Sequence, residues 1–237
     1  ELNDPLKVVF QGAYPAACGE RVWPVAYPAP REFAARAVEG MWRELGGKLT
    51  GSVREGKVPA GLKPAFVSTS PALAEVVRDV NKYSNNVMAQ HVFLTLARQK
   101  NGVATLDGAR ETLRQWWQAR FADVDAPAPD NGAGLSRDAR ITAQALARML
   151  QAAWASPVMP ELVASLPIAG VDGTLRRSQS RSAAHLKTGS LRDVMAVAGY
   201  VHAQSGRRYV LVAIVNHPNA NAARPVLDAL TDWAAKD

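Results

Sequence analysis

Residues 185–216 read HLKTGS LRDVMAVAGY VHAQSGRRYV LVAIVN. Three runs rich in Val, Ala, Leu, Ile and Tyr sit here within short reach of one another. His185 to Thr188, Val194 to His202 and Arg207 to Asn216 each have strand length and strand composition. Gln204-Ser205-Gly206 supplies a hairpin turn between the last two, and connections this short join antiparallel neighbours. The spacing predicts an antiparallel sheet, with Lys187-Thr188-Gly189 at the end of its first strand.

Outward from that sheet the period changes. Downstream, Val226, Leu227, Leu230 and Trp233 lie on one stripe of a closing helix. Upstream, helical spacing dominates. Residues 32–45 carry Val38, Met41, Trp42 and Leu45 on one face, and Gly46-Gly47 ends the run. Ser70-Pro71 opens another helix, with Ser as cap and Pro at the first position, and Leu73, Val76, Val77 and Val80 form its apolar stripe. A break at 81–84 precedes a helix running to about Gln99. Further helices fit 106–120, 137–154 and 160–165. Residues 5–27 read as extended and turn-rich, with Leu6 to Phe10 resembling a strand already under way. Short extended pieces fit Leu49 to Val53 and Phe66-Val67. Helices followed by an antiparallel sheet and a closing helix make an α+β pattern.

Of 237 residues, 48% are hydrophobic and 21% charged, ordinary for a globular chain. No apolar run approaches the roughly 20 residues that span a bilayer. Glu1-Leu2-Asn3-Asp4 does not open a signal peptide, and residue 1 reads as a cut. The net charge of +7 favours anionic partners. Its Arg and Lys are spread out, however, and carry no nucleic-acid-binding signature, so no nucleic-acid partner is expected. The single cysteine, Cys18, reads as a small buried hydrophobe or as half of a disulfide whose partner lies upstream. His91, His185, His202 and His217 lack metal-ligand spacing, and no metal or cofactor is expected.

Two triads carry the chemistry. Ser84-Asn85-Asn86 falls in the break between two helices. Lys187-Thr188-Gly189 falls on the sheet, 103 residues later. Serine acyl-transferases combine three elements, S-x-x-K, S-x-N and K-T-G, and two of the three are present. A hydroxyl such as Ser84 accepts and donates at once, so it can pass a proton to a leaving amine. Asn86 offers both a carbonyl and an NH2, able to orient a lysine and bind a substrate amide. Lys187 places a cation near a substrate carboxylate and developing negative charge. Thr188 can hydrogen-bond that carboxylate. Gly189 lets a substrate backbone approach the strand edge. The backbone N–H of Ser190 is placed to donate in an oxyanion hole.

Four ordered stretches strengthen this reading: Tyr83-Ser84-Asn85-Asn86-Val87-Met88-Ala89; Asn131-Gly132-Ala133-Gly134-Leu135-Ser136-Arg137; Leu166-Pro167-Ile168-Ala169-Gly170-Val171-Asp172-Gly173-Thr174-Leu175; and Leu186-Lys187-Thr188-Gly189-Ser190-Leu191 leading into Ala198-Gly199-Tyr200-Val201. With them the chain resembles the class C low-molecular-mass penicillin-binding proteins, the D-alanyl-D-alanine carboxypeptidase/endopeptidase family. In the second stretch Ala133 replaces the family's usual Ser. The glycines of the second and third stretches also read simply as turn residues.

The resemblance implies a β-lactamase/penicillin-binding-protein-like fold, incomplete at the N-terminus. Residues 1–25 would end an inserted accessory domain or linker, and 26–237 would form the C-terminal part of the catalytic domain. It further implies cleavage of D-Ala-D-Ala bonds in peptidoglycan stem peptides through an acyl-serine, trapping by β-lactams, and a periplasmic or cell-envelope location.

No serine in this sequence is followed three residues later by lysine, so the S-x-x-K nucleophile is absent from these residues. Either the chain is a fragment of an ordinary enzyme, or it is a homologue that lost the nucleophile and kept a peptidoglycan-binding role. On the first reading the fragment alone is inactive.

Overall fold

The computed structural model describes residues 9–24 and 26–237. Its contacts divide the chain into two compact units, Glu1–Ser68 and Thr69–Asp237.

The first unit is built around helix α1 (Pro30–Glu44), whose first position is the proline that helix starts favour. Val38, Met41 and Trp42 on it, and Leu45 just past its end, are exposed. The Trp42 indole folds back to donate to the carbonyl of Lys48 at 3.1 Å. Of the strand expected from Leu6, residues 6–8 lie outside the described residues, and Val9 and Phe10 belong to no strand. The extended pieces expected at 49–53 and 66–67 do not become strands either. Among the described residues this unit has no second strand to pair with them, and an unpaired strand has no ladder to hold it. Cys18 is exposed, which corrects its reading as a buried hydrophobe.

The second unit has three layers. A meander of β1 (Ala183–Leu191), β2 (Val194–His202) and β3 (Arg208–Asn216) forms the middle. Helix α7 (Arg224–Ala235) covers one face, where Leu227 packs with Leu186, Met195, Val197, Val201 and Leu211. Helices α5 (Ala143–Trp154) and α6 (Met159–Ser165) cover the other, where Leu150 and Leu166 pack with Tyr200. Covering both faces explains why β2 reads as a near-continuous apolar run rather than an alternation. Tyr200, 1% exposed, donates its hydroxyl to the carbonyl of Leu150 at 2.7 Å, and burial pushes its pKa up to about 12. Three more helices complete the unit: α2 (Leu73–Tyr83), α3 (Asn86–Asn101) and α4 (Leu106–Arg120).

Several boundaries differ from the sequence reading, among them the end of α2, which runs on to Tyr83 through most of the break expected at 81–84. β1 continues past Gly189 to Leu191, so Lys187-Thr188-Gly189 lies within the strand, paired with Ala198, Val197 and Ala196. Helix α5 begins at Ala143, not near 137. Arg140 is held in a two-bond bridge to Ala128, and Thr142 then caps the helix through its hydroxyl. Ser136 accepts from the N–H groups of Asp138 and Ala139 in a local turn before it. Helix α2 starts at Leu73 behind Ala72, without Ser70 as a side-chain cap.

Candidate active site

The connection between α2 and α3 is two residues long. Ser84 ends α2 in the left-handed region, φ 53° and ψ 47°, and is the sole non-glycine residue with positive φ among those described. Asn85 then caps α3, its Oδ1 accepting from the N–H of Met88 at 3.1 Å. One left-handed residue between two helices turns the chain sharply and leaves Ser84 and Asn86 on the wall of a cleft of about 510 Å³. The opposing wall is β1, with Lys187, Thr188, Gly189 and Ser190. All six residues singled out in the sequence therefore line one cavity. The Ala133-Gly134-Leu135 turn lines it as well.

Lys187 Nζ donates to Ser84 Oγ at 3.0 Å and to the carbonyl of Thr188 at 2.9 Å. Burial lowers the Lys187 pKa from its usual 10.5, and among the described residues no carboxylate pairs with it. An ammonium so placed is readier than an ordinary lysine to release a proton. Asn86 makes no side-chain hydrogen bond among the described residues, which leaves its amide available to a ligand. The Thr188 hydroxyl shares a hydrogen bond with that of Thr174 at 2.7 Å.

Backbone parity gives the strand edge its chemistry. Leu186 N–H points away from β2, toward the carbonyl of Pro167 at 2.9 Å, and the carbonyl of Ala184 accepts from Ala169 on the same side. Alternation along an unbroken register then carries the N–H groups of Thr188 and Ser190 to the same outer edge. The segment 167–169 occupies that edge as far as Leu186. Beyond it the edge opens into the cleft. A Cβ added to Gly189 would meet only Ala196 Cβ at an ordinary 3.6 Å, so nothing inside the protein demands glycine there.

Three residues with no role assigned in the sequence reading reinforce the site. Lys82 Nζ donates to the carbonyl of Leu166 and to Asp172 Oδ2, both at 2.7 Å. Asp172 Oδ1 accepts from the N–H of Ile168 at 2.8 Å. Burial alone would raise the Asp172 pKa, but the bonds from Lys82 and Ile168 outweigh it and hold the carboxyl below its ordinary value. Thr174 is the third, through Thr188. Asp172 and Thr174 lie within a motif stretch, and Lys82 sits two residues before Ser84. Pairing across 90 positions leaves no signal in spacing. Among the described residues no group of three or more His, Cys, Asp or Glu could hold a metal, and no helix is long and apolar enough to cross a membrane.

The profile of the D-Ala-D-Ala carboxypeptidase 3 (S13) family matches residues 3–237. The chain belongs to that family. It is 29% identical over 206 residues to a D-alanyl-D-alanine carboxypeptidase of Actinomadura sp. (strain R39), covering 82% of this chain and 38% of that protein. It is 31% identical over 187 residues to the carboxypeptidase DacB of Mycolicibacterium smegmatis, covering 73% of this chain and 40% of the relative. The chain thus spans about two fifths of the length of these relatives. Among solved structures, penicillin-binding protein 4 (DacB) of Haemophilus influenzae, in complex with a β-lactam, superimposes with a TM-score of 0.75 at 22% identity. That match covers 87% of this chain and 52% of the other. The fold is that of this family of DD-peptidases.

Proposed function

We propose that this chain carries one wall of the active site of a serine-type D-Ala-D-Ala carboxypeptidase/endopeptidase acting on peptidoglycan stem peptides. The observation that carries the reading is the 3.0 Å contact between Lys187 Nζ and Ser84 Oγ, which unites the S-x-N and K-T-G elements in one cleft.

In this reading a serine hydroxyl from an S-x-x-K element, absent from these 237 residues, attacks the carbonyl carbon of the penultimate D-Ala. The C–O bond forms as the carbonyl π pair moves onto oxygen, and the nucleophile's proton passes to the lysine of the same S-x-x-K element and on to Ser84. The oxyanion rests on outward N–H groups, that of Ser190 among them. Ser84 passes a proton to the departing nitrogen, the C–N bond breaks, and D-Ala leaves. Water then hydrolyses the acyl-serine and restores the hydroxyl. Lys187 and the Thr188 hydroxyl bind the substrate's terminal carboxylate, Asn86 binds a substrate amide, and Gly189 leaves room for its backbone. β-Lactams enter the same cleft and stop at the acyl-serine. Residues 26–237 belong to the catalytic domain, and action is in the periplasm or cell envelope.

A second reading, a non-catalytic peptidoglycan-binding homologue, is favoured by the missing nucleophile alone. Fluorescent penicillin labelling, read by intact mass, separates the two. The test compares this chain with the product of the complete reading frame. Labelling of the complete product, abolished by Lys187→Ala, supports the enzyme. No labelling of the complete product, with peptidoglycan binding retained, overturns it in favour of the binding protein.

A further inference from the structure

We infer that Lys82 and Asp172 are positioning residues that hold Ser84 against Lys187 from behind the cleft. The inference rests on the reading of the cleft given above.

Neither residue lines the cavity. Both act on the residue that turns α2 into it. Ser84 sits in a left-handed conformation that costs a residue bearing a Cβ, so the surrounding structure must impose it. The last turn of α2 is where that constraint is applied. Lys82 donates to Leu166 O and Asp172 Oδ2, and its side chain is only 12% exposed. One residue earlier, Asn81 Nδ2 donates to Ser165 Oγ at 2.7 Å. Gly173 then presses directly on this turn, since a Cβ there would fall 2.5 Å from the carbonyl oxygen of Lys82. Three fixed acceptors and one backbone contact leave the final turn little freedom.

The same loop also reaches the opposite wall, through residues that alternate with those holding α2. Ile168 and His185 form a bridge, Pro167 accepts from Leu186, and Thr174 bonds Thr188. Residues 166–174 are therefore a strap to which both Ser84's helix and the K-T-G strand are clamped. Asp172 anchors the strap to the helix, accepting from Lys82 with one oxygen and from its own loop, at Ile168 N–H, with the other. A partly buried ion pair contributes little net stability over an apolar pair. What it supplies here is direction, because the charged bonds fix where the end of α2 lies relative to β1.

The test compares Asp172→Asn, Lys82→Met and Lys82→Arg in the complete gene product. Acylation by fluorescent penicillin is followed over time, well below each variant's melting midpoint. Displacing a reacting group by about 1 Å is worth up to about a hundredfold in rate. Asp172→Asn and Lys82→Met are expected to slow the acylation rate constant tenfold to a hundredfold. The half-saturating penicillin concentration should stay within about twofold, and Lys82→Arg should recover part of the rate. Rates within about twofold of wild type in Asp172→Asn, or equal losses in Lys82→Arg and Lys82→Met, overturn the inference. If Lys82→Met fails to fold, the isosteric Asp172→Asn decides.

A second readout does not depend on acylation. The Lys187 side-chain carbon resonance, assigned by its loss in Lys187→Met, should titrate nearer the ordinary 10.5 in Asp172→Asn than in wild type. An unmoved titration overturns the inference. Wild-type protein that takes no penicillin overturns the functional reading instead and leaves this titration to decide.

Discussion

Lys187 reaches across 103 positions of sequence to donate to Ser84 Oγ, and the acceptor is the one non-glycine residue held at positive φ among those described. Conformation and chemistry at position 84 can be separated by substitution. Glycine adopts the left-handed region freely, whereas alanine keeps the Cβ penalty of about 1–2 kcal/mol. The greater chain entropy of glycine when unfolded offsets part of that gain. Ser84→Gly should therefore unfold at higher denaturant than Ser84→Ala, by about 0.5–1 kcal/mol. Both should slow penicillin acylation of the complete gene product by about 10²–10⁴, the range for a lost proton-transfer group. A Ser84→Gly variant that acylates at the wild-type rate would refute the shuttle role.

The depressed Lys187 pKa makes a prediction about stability against pH. Burial is its cause, so the folded state gives up the proton more readily than the unfolded state. Between the folded value and 10.5 the unfolded chain holds more protons, and stability rises with pH across that window. Below it, carrying the buried cation is a fixed penalty. Lys187→Met removes the penalty along with the bonds to Ser84 and Thr188. The difference in melting temperature, variant minus wild type, should fall as pH is raised from 8 toward 10.5. A difference independent of pH would mean that Lys187 is not desolvated.

The sheet was legible in the sequence because its chemistry is local. β2 matched its predicted span, since nine residues of Val, Met, Ala, Gly, Tyr and His between turns admit little else. The six site residues were legible as motifs, and the cleft brings all six together. What the sequence hid was non-local. The extension of β1 depends on its pairing with β2, out to Leu191 opposite Val194. The late start of α5 depends on a bridge from Arg140 to Ala128. The extended pieces of the first unit have strand composition but no partner among the described residues. Lys82 and Asp172 carry no signature of their own, and only the packing of α2 on the 166–174 loop brings them together.

Two glycines of the sheet should behave in opposite ways. At Gly199, φ is +156° and a Cβ would stand 2.1 Å from the carbonyl oxygen of His185, across the strand pair. No backbone atom there can move aside without breaking the ladder. Gly199→Ala should destabilise by at least about 1–3 kcal/mol, the range for overpacking. At Gly189 the added carbon meets Ala196 Cβ at 3.6 Å, so Gly189→Ala should change stability by no more than about 0.5 kcal/mol. It should nevertheless slow acylation of the complete gene product, because the new methyl group stands beside the open edge of β1. Chemical denaturation and labelling on the same samples check both halves. A stable Gly189→Ala variant acylated at full rate would remove substrate backbone from that edge.

His202 supplies a prediction in a separate pH range. Its ring packs near Trp154 and His185, and its Nε2 is buried without a partner. Burial, then the charge of Arg208, then His185 lower its pKa from 6.5. A histidine depressed in the folded state is protonated first in the unfolded chain. Stability is therefore complete above 6.5 and declines as pH falls through 6.5 toward the folded value. The aspartates at 172, 193, 232 and 237 all sit below 3.8 and do not titrate in that interval. The melting midpoint should drop between pH 7.5 and 5.5, and His202→Phe should flatten most of that slope. A slope unchanged in His202→Phe would move the acid sensitivity to another group.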